Sequence, residues 1–259
     1  MKRIAGFALA IAASCAWPAA SAFAAEYVAM PGGMFESVLP QGPVPTLSTP
    51  VEVPPFSMRV TPVTVGEFEA FLRSQPQWQK GRVARVLAER RYLAAWSGAS
   101  EAGPSIRENS PVTDVSWFAA RAYCESEGGR LPTWLEWEYA AAADATRTDA
   151  RKDPAWRRRI LSWYERPAAS SLDAVGGEAN AYGVRDMHGL VWEWVDDFNA
   201  LFIAGDSRTQ GDPDLLKFCG AGAINIIDKD SYAIVMRIAL LSSLNAADTT
   251  QSLGFRCAH

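Results

Sequence analysis

The spacing of apolar and polar positions changes along this chain, and each change of period marks an element. The segment Tyr27-Val28-Ala29-Met30-Pro31-Gly32-Gly33-Met34-Phe35 reads as a short strand entering a glycine turn. Residues 51–58 alternate enough to predict a second strand, and the Pro-, Ser- and Thr-rich residues 40–50 between them read as loop. Thr64 followed by Glu67 forms a capping box, in which each side chain satisfies an amide at the start of a helix. Val65, Phe68, Phe71 and Leu72 then fall on one helical face. A second helix is predicted over residues 116–127, stopped by Gly128-Gly129. A third is predicted over residues 133–143, opened by a second capping box, Thr133 with Glu136. Residues 144–168 are charged and helical in pattern, and residues 172–259 carry Gly, Asn, Asp and aromatics with short β-like runs. No internal repeat or low-complexity tract interrupts the chain, so a single α+β domain over residues 25–259 is predicted.

The first 24 residues are set apart by their own pattern. Lys2 and Arg3 precede an apolar stretch from Ile4 to about Ala16, and Ala22-Phe23-Ala24 offers a cleavage site before Ala25. This predicts a secretory signal peptide and a periplasmic or secreted protein. Cys15 as a lipid anchor is disfavoured because Ala12-Ala13-Ser14 before it lacks the usual leucine. No later stretch is apolar enough to span a membrane.

Composition narrows the chemistry. Of 259 residues, 49% are apolar and 21% charged, as in a soluble protein with a real core. Ten tryptophans with 19 glycines and 16 prolines suggest a loop-rich body pinned by large aromatic anchors. Without Lys2 and Arg3 the chain carries 23 basic and 29 acidic residues, so nucleic acid is an unsuitable partner for want of a basic face. With only His188 and His259, no histidine-rich iron or zinc centre can form. Three cysteines outlast the leader, Cys124, Cys219 and Cys257, and an odd number leaves one thiol free or bound to another chain.

Several segments in order carry a resemblance. They are Met30-Pro31-Gly32-Gly33; Thr61-Pro62-Val63-Thr64 leading to Phe68 and Phe71; Pro111-Val112-Thr113-Asp114-Val115-Ser116-Trp117; and Ala122-Tyr123-Cys124. Gly129-Arg130-Leu131-Pro132-Thr133-Trp134 follows, running on to Ala140. Then come residues 180–194, with Asp186-Met187-His188-Gly189-Leu190-Val191-Trp192-Glu193-Trp194, and Leu253-Gly254-Phe255-Arg256-Cys257-Ala258. Over residues 27–258 the chain resembles the formylglycine-generating-enzyme, or sulfatase-modifying-factor, family. The resemblance implies an irregular α+β body related to C-type lectins. That family includes a copper enzyme that oxidises a sulfatase cysteine, histidine-ligated iron enzymes of thiol-histidine synthesis, and periplasmic tailoring or accessory proteins.

The resemblance also assigns expectations to particular residues. The copper oxidase holds its metal with two cysteines five residues apart, and the matching positions here are Ala233 and Ile238. Thiolate holds Cu(I) and hydrocarbon does not, so no copper is expected there. Cys124 and Cys257 match two cysteines that the family bridges; the alternative is two separate buried thiols. Asp186, Gly189, Val191 and Glu193 match a structural calcium site, the alternative being that the two acids cap turns. Cys219, in Phe218-Cys219-Gly220-Ala221-Gly222, is either an inert buried thiol or a reactive, metal-binding one. Ser231, Tyr232 and Arg237 match the cleft and are candidate substrate contacts. Trp117, Trp134, Trp137, Trp192 and Trp194 are expected in the core, His188 in a turn, and Asp196-Asp197 in an exposed acidic turn rather than as a proton-transfer pair. Residues 76–110, with five arginines from Arg82 to Arg107 and with Trp78, Tyr92 and Trp96, read as a surface insertion whose aromatics fold back, or as part of a cleft.

Fold does not fix function. The reading these features favour is an exported accessory or maturation protein. Its partner would be a protein or a peptide-derived metabolite in the periplasm, such as a copper enzyme of nitrogen-oxide metabolism. The alternatives are a tailoring oxidase or cyclase using Cys219 or carboxylates, and a lectin-like binding module.

Overall fold

The computed structural model describes residues 25–39, 50–165, 171–201 and 232–259. The expected leader, Cys219 and Ser231 lie outside the described residues. Two small antiparallel ladders open the chain. Strand β1 (Tyr27–Met30) pairs with β4 (Phe56–Arg59), Tyr27 opposite Arg59, and β2 (Gly33–Phe35) pairs with β3 (Val51–Val53). The single strand predicted over residues 51–58 is two, because Pro54 and Pro55 have no N–H to give a ladder. The matching corner at Gly32 has φ 70°, and a Cβ there would sit 2.3 Å from the Val53 carbonyl oxygen, so only glycine fits.

Helix α1 (Val65–Ser74) carries the predicted Thr64–Glu67 capping box and buries Val65, Phe68, Phe71 and Leu72. Helix α2 (Trp117–Ser126) starts on Ser116, whose hydroxyl accepts the Ala119 amide. Helix α3 (Trp134–Ala141) carries the second capping box, Thr133 with Glu136. The helix predicted over residues 144–168 is shorter, α4 (Pro154–Tyr164), capped by Asp153. Upstream, the Asp144 carboxylate takes the amides of Thr146 and Arg147, a local turn that competes with helix, and Pro154 keeps Asp153 extended.

A further helix, α5 (Tyr232–Ser242), lies where short β-like runs were expected. Its Ile234, Ile238 and Leu241 are buried at helical spacing, and the β-branched Ile and Val residues disguised that period. Strands β5 (Trp192–Glu193) and β6 (Leu253–Gly254) run parallel. One main core gathers Phe68, Trp134, Trp137, Trp194 and Phe255, all 1% exposed or less. A disulfide joins Cys124 on α2 to Cys257 beyond β6, with Cα atoms 5.4 Å apart. In the 76–110 insertion Tyr92 and Trp96 fold into the core and the Tyr92 hydroxyl donates to the Trp78 carbonyl. No helix among the described residues is long and apolar enough to cross a membrane. The architecture is α+β, as predicted.

Candidate functional site

The site is assembled where β5, α3 and α5 meet. Strand β5 turns Glu193 inward to full burial, opposite an equally buried Arg256. The pair is a fork: Arg256 Nε donates to Glu193 Oε2 at 2.9 Å and Nη2 to Oε1 at 2.7 Å. Trp137 Nε1 adds a bond to Oε2 at 2.8 Å. The remaining guanidinium donors reach the carbonyls of Arg59, Val60 and Arg185. Two charges withdrawn from water are tolerated because nearly every donor has a partner. The hub also fastens the first strands and the 185–193 segment to the C-terminal strand.

Arg237 reaches the same place from α5. It is 2% exposed, its guanidinium lies 3.5 Å from the centroid of the Trp137 ring, and it donates to the backbone carbonyl of Glu193. A cation held over an indole face and away from water gains from the ring quadrupole. The residue expected to touch substrate is therefore packed beneath the surface in this arrangement.

Beside the hub, residues 186–189 make a tight turn with Asp186 at φ 59° and Gly189 at φ 85°. A Cβ at position 189 would come within 2.6 Å of the Trp163 indole, so glycine is required there. The turn delivers His188 among three indoles. Its ring centroid is 5.9 Å from Trp137, 5.7 Å from Trp156 and 5.9 Å from Trp163, stacked on the last. Nε2 lies 2.8 Å from the Ala141 carbonyl oxygen, so that nitrogen bears the proton and donates, while the buried Nδ1 has no hydrogen-bond partner among the described residues. Burial pulls His188 down to about 4, against the bond to Ala141 and helped by Arg237. The imidazole is neutral at pH 7. A cavity of about 340 Å³ opens here, lined by Trp156, Arg159, Trp163, Asn180, Asp186 and His188.

Of the four positions expected to hold calcium, two would offer carboxylates, and both carboxylates already have partners within the protein. The Asp186 carboxylate accepts the amides of Gly176 and Gly177 at 2.7 and 2.9 Å, and the Glu193 carboxylate is taken by Arg256 and Trp137. A calcium ion sharing all four would have to compete with a buried guanidinium for Glu193. Among the described residues no group of three or more His, Cys, Asp or Glu gathers, and the expected set offers only two such groups beside two backbone carbonyls, so calcium here rests on the resemblance alone.

Ala233 and Ile238, which the resemblance matches to the copper cysteines, both lie on α5 and are 7% and 0% exposed. They belong to different clusters: Ala233 packs with Ala150, Trp156 and Ile160, and Ile238 with the main core. Tyr232 opens the same helix. Asp197, expected in an exposed turn, instead caps α3 by accepting the Trp134 amide at 2.7 Å, and burial raises its pKa. Asp196 is exposed as expected. Sequence reasoning overlooked the indole wall around His188. Its signal was present, since Trp156, Ile160 and Trp163 follow helical spacing on one face of α4.

This irregular α+β body, with its ordered motifs and its Arg-stapled turn, defines a class. The model of the sulfatase-modifying factor enzyme 1-like domain matches residues 16–259, and the chain belongs to that family. It is similar to the formylglycine-generating enzyme of Streptomyces coelicolor, 34% identical over 172 residues, which cover 59% of this chain and 54% of that one. Hercynine oxygenase of Mycobacterium tuberculosis is 31% identical over 162 residues, 56% of this chain and 38% of the other. The inactive C-alpha-formylglycine-generating enzyme 2 of Bos taurus is 26% identical over 276 residues, 89% of this chain and 87% of the other. The chain thus spans about half the length, or less, of the first two relatives.

Proposed function

We propose that this protein is an exported accessory or maturation member of its family that does not run copper-cysteine oxidation. The observation that carries the reading is the pair Ala233 and Ile238: two buried hydrocarbon side chains on α5, in separate apolar clusters, at the positions where the oxidase needs thiolates. The likeness across most of the chain to a relative named inactive supports the same view. Around those positions the chain's own residues build a fixed support. Arg237 braces Trp137 and the Glu193 carbonyl, and neutral His188 stands against three indoles. Such a rigid wall beside a cavity of about 340 Å³ suits binding and positioning of a peptide or protein partner.

The test is incubation of the purified protein with copper, oxygen and a cysteine-containing sulfatase peptide, followed by mass spectrometry. The peptide should keep its thiol; conversion to formylglycine would refute the reading. A tailoring oxidase or cyclase is the second reading, supported by the likeness to hercynine oxygenase and by Cys219. Cys219→Ser separates the two: activity on any substrate later found would vanish under the second reading and persist under the first.

A further inference from the structure

The insertion that the family motifs leave unassigned carries a local reversal of charge. Residues 80–91 contain Lys80, Arg82, Arg85, Arg90 and Arg91 against one acid, Glu89, in a chain of net charge −4. The structure sorts these groups by direction. Lys80 turns inward, its Nζ donating to the carbonyls of Ala94 and Trp96. Glu89 is also spent internally, its carboxylate accepting the amide and hydroxyl of Thr249. The four arginines are exposed, and none of their side chains makes a hydrogen bond or ion pair among the described residues, although the charge of Arg91 acts on the buried Asp114 carboxylate and opposes the rise that burial gives its pKa. Val86, between them, is 76% exposed.

This surface is held rather than loose. Ala88, Tyr92, Leu93 and Trp96 are buried beneath it, and the Glu89 and Leu93 amides bond to the carbonyls of Ala247 and Asp114. The Arg82, Arg85 and Arg90 guanidinium groups, fixed on a packed base with no carboxylate beside them among the described residues, repel one another and Arg91 in the free protein, and that repulsion is relieved by an anion.

We propose that the Arg82, Arg85, Arg90 and Arg91 surface docks a short acidic segment of a partner protein. Three observations select that occupant. Guanidinium forks pair with carboxylates in a two-pronged geometry that lysine cannot match, and the one lysine here faces inward. A membrane surface would ask for an apolar face to insert, and Val86 is the only large exposed apolar residue in the segment. Because charges are screened beyond a Debye length of about 8 Å, a short segment senses the arginines alone, whereas a broad polyanion such as a bilayer or duplex also lies against acidic surface of the net-negative body. The docking surface is independent of whether the α5 site is catalytic.

The test uses fluorescence anisotropy with a labelled ten-residue polyglutamate peptide, a polyglutamine control and phosphatidylglycerol vesicles, on the full chain and on R82Q/R85Q/R90Q/R91Q. The wild type should bind polyglutamate, more weakly as salt rises, and ignore polyglutamine. The quadruple variant should lose at least about tenfold in affinity, and R82Q/R85Q/R90Q, which keeps Arg91 beside Asp114, should lose affinity without a lower melting temperature. R85Q alone should give a smaller loss and serves if the quadruple variant misfolds. Equal peptide binding by wild type and variant, preference for the vesicles, or no peptide binding by the wild type would each overturn the proposal.

Discussion

Glu193 shows how one residue's role depends on what packs against it. From sequence it matches a calcium ligand; in the fold it is the counterion of a buried arginine. Glu193→Gln keeps the shape and removes the charge, leaving Arg256 uncompensated at 0% exposure. Denaturant unfolding should show a loss of about 3–5 kcal/mol. Calcium held at this turn as well would appear as a melting temperature that a chelator lowers, and an unmoved one would leave Glu193 to Arg256 alone. His188 sets the pH response. Its pKa is about 4 in the folded chain against 6.5 unfolded, so between those values the unfolded chain binds the extra proton. The stability His188 contributes is complete above 6.5 and is lost as pH falls toward 4, by on the order of 3 kcal/mol. Stability measured across that range should flatten in His188→Phe; an unchanged slope would show that other groups carry it.

At the scale of elements, the sequence was most legible where a short local rule decides the structure. The capping boxes at Thr64 and Thr133 and the serine cap at Ser116 mark where three helices begin. The rule failed where tertiary burial overrode local pattern. Helix α5 is apolar on several sides and rich in Ile and Val, so its period could not be told from buried strand, and Pro54-Pro55 split a ladder that alternation alone had joined. Asp197 could not be read as a cap because it lies 63 residues from the amide it serves. The link from α2 to the C-terminal segment closes a separation of 133 residues. Replacing Cys124 and Cys257 together by serine should lower stability by roughly 2–5 kcal/mol, and a reductant should shift the melting temperature of the native chain alone. No shift on reduction would mean that packing, not the covalent link, holds the two segments.

Across the whole molecule, the order of the motifs carried more information than any single one. Each serves a local packing need of the same body, such as the Gly32 corner or the Arg256 fork, so together they specified the fold. The candidate site was legible in part. The hydrocarbon at positions 233 and 238 could be read directly, because it is a matter of residue type. The surroundings of His188 and the burial of Arg237 could not, because they depend on how α4 and α5 approach the 186–193 segment. The central claim is that hydrocarbon has replaced the copper ligands and that the protein works by holding a partner. Its most direct test is a competition titration of the purified protein with Cu(I) against a Cu(I)-selective chelator, with oxygen uptake followed in the presence of a cysteine peptide. The expected result is that the chelator keeps the copper and no oxygen is consumed. One Cu(I) retained per chain together with peptide-dependent oxygen uptake would contradict the claim.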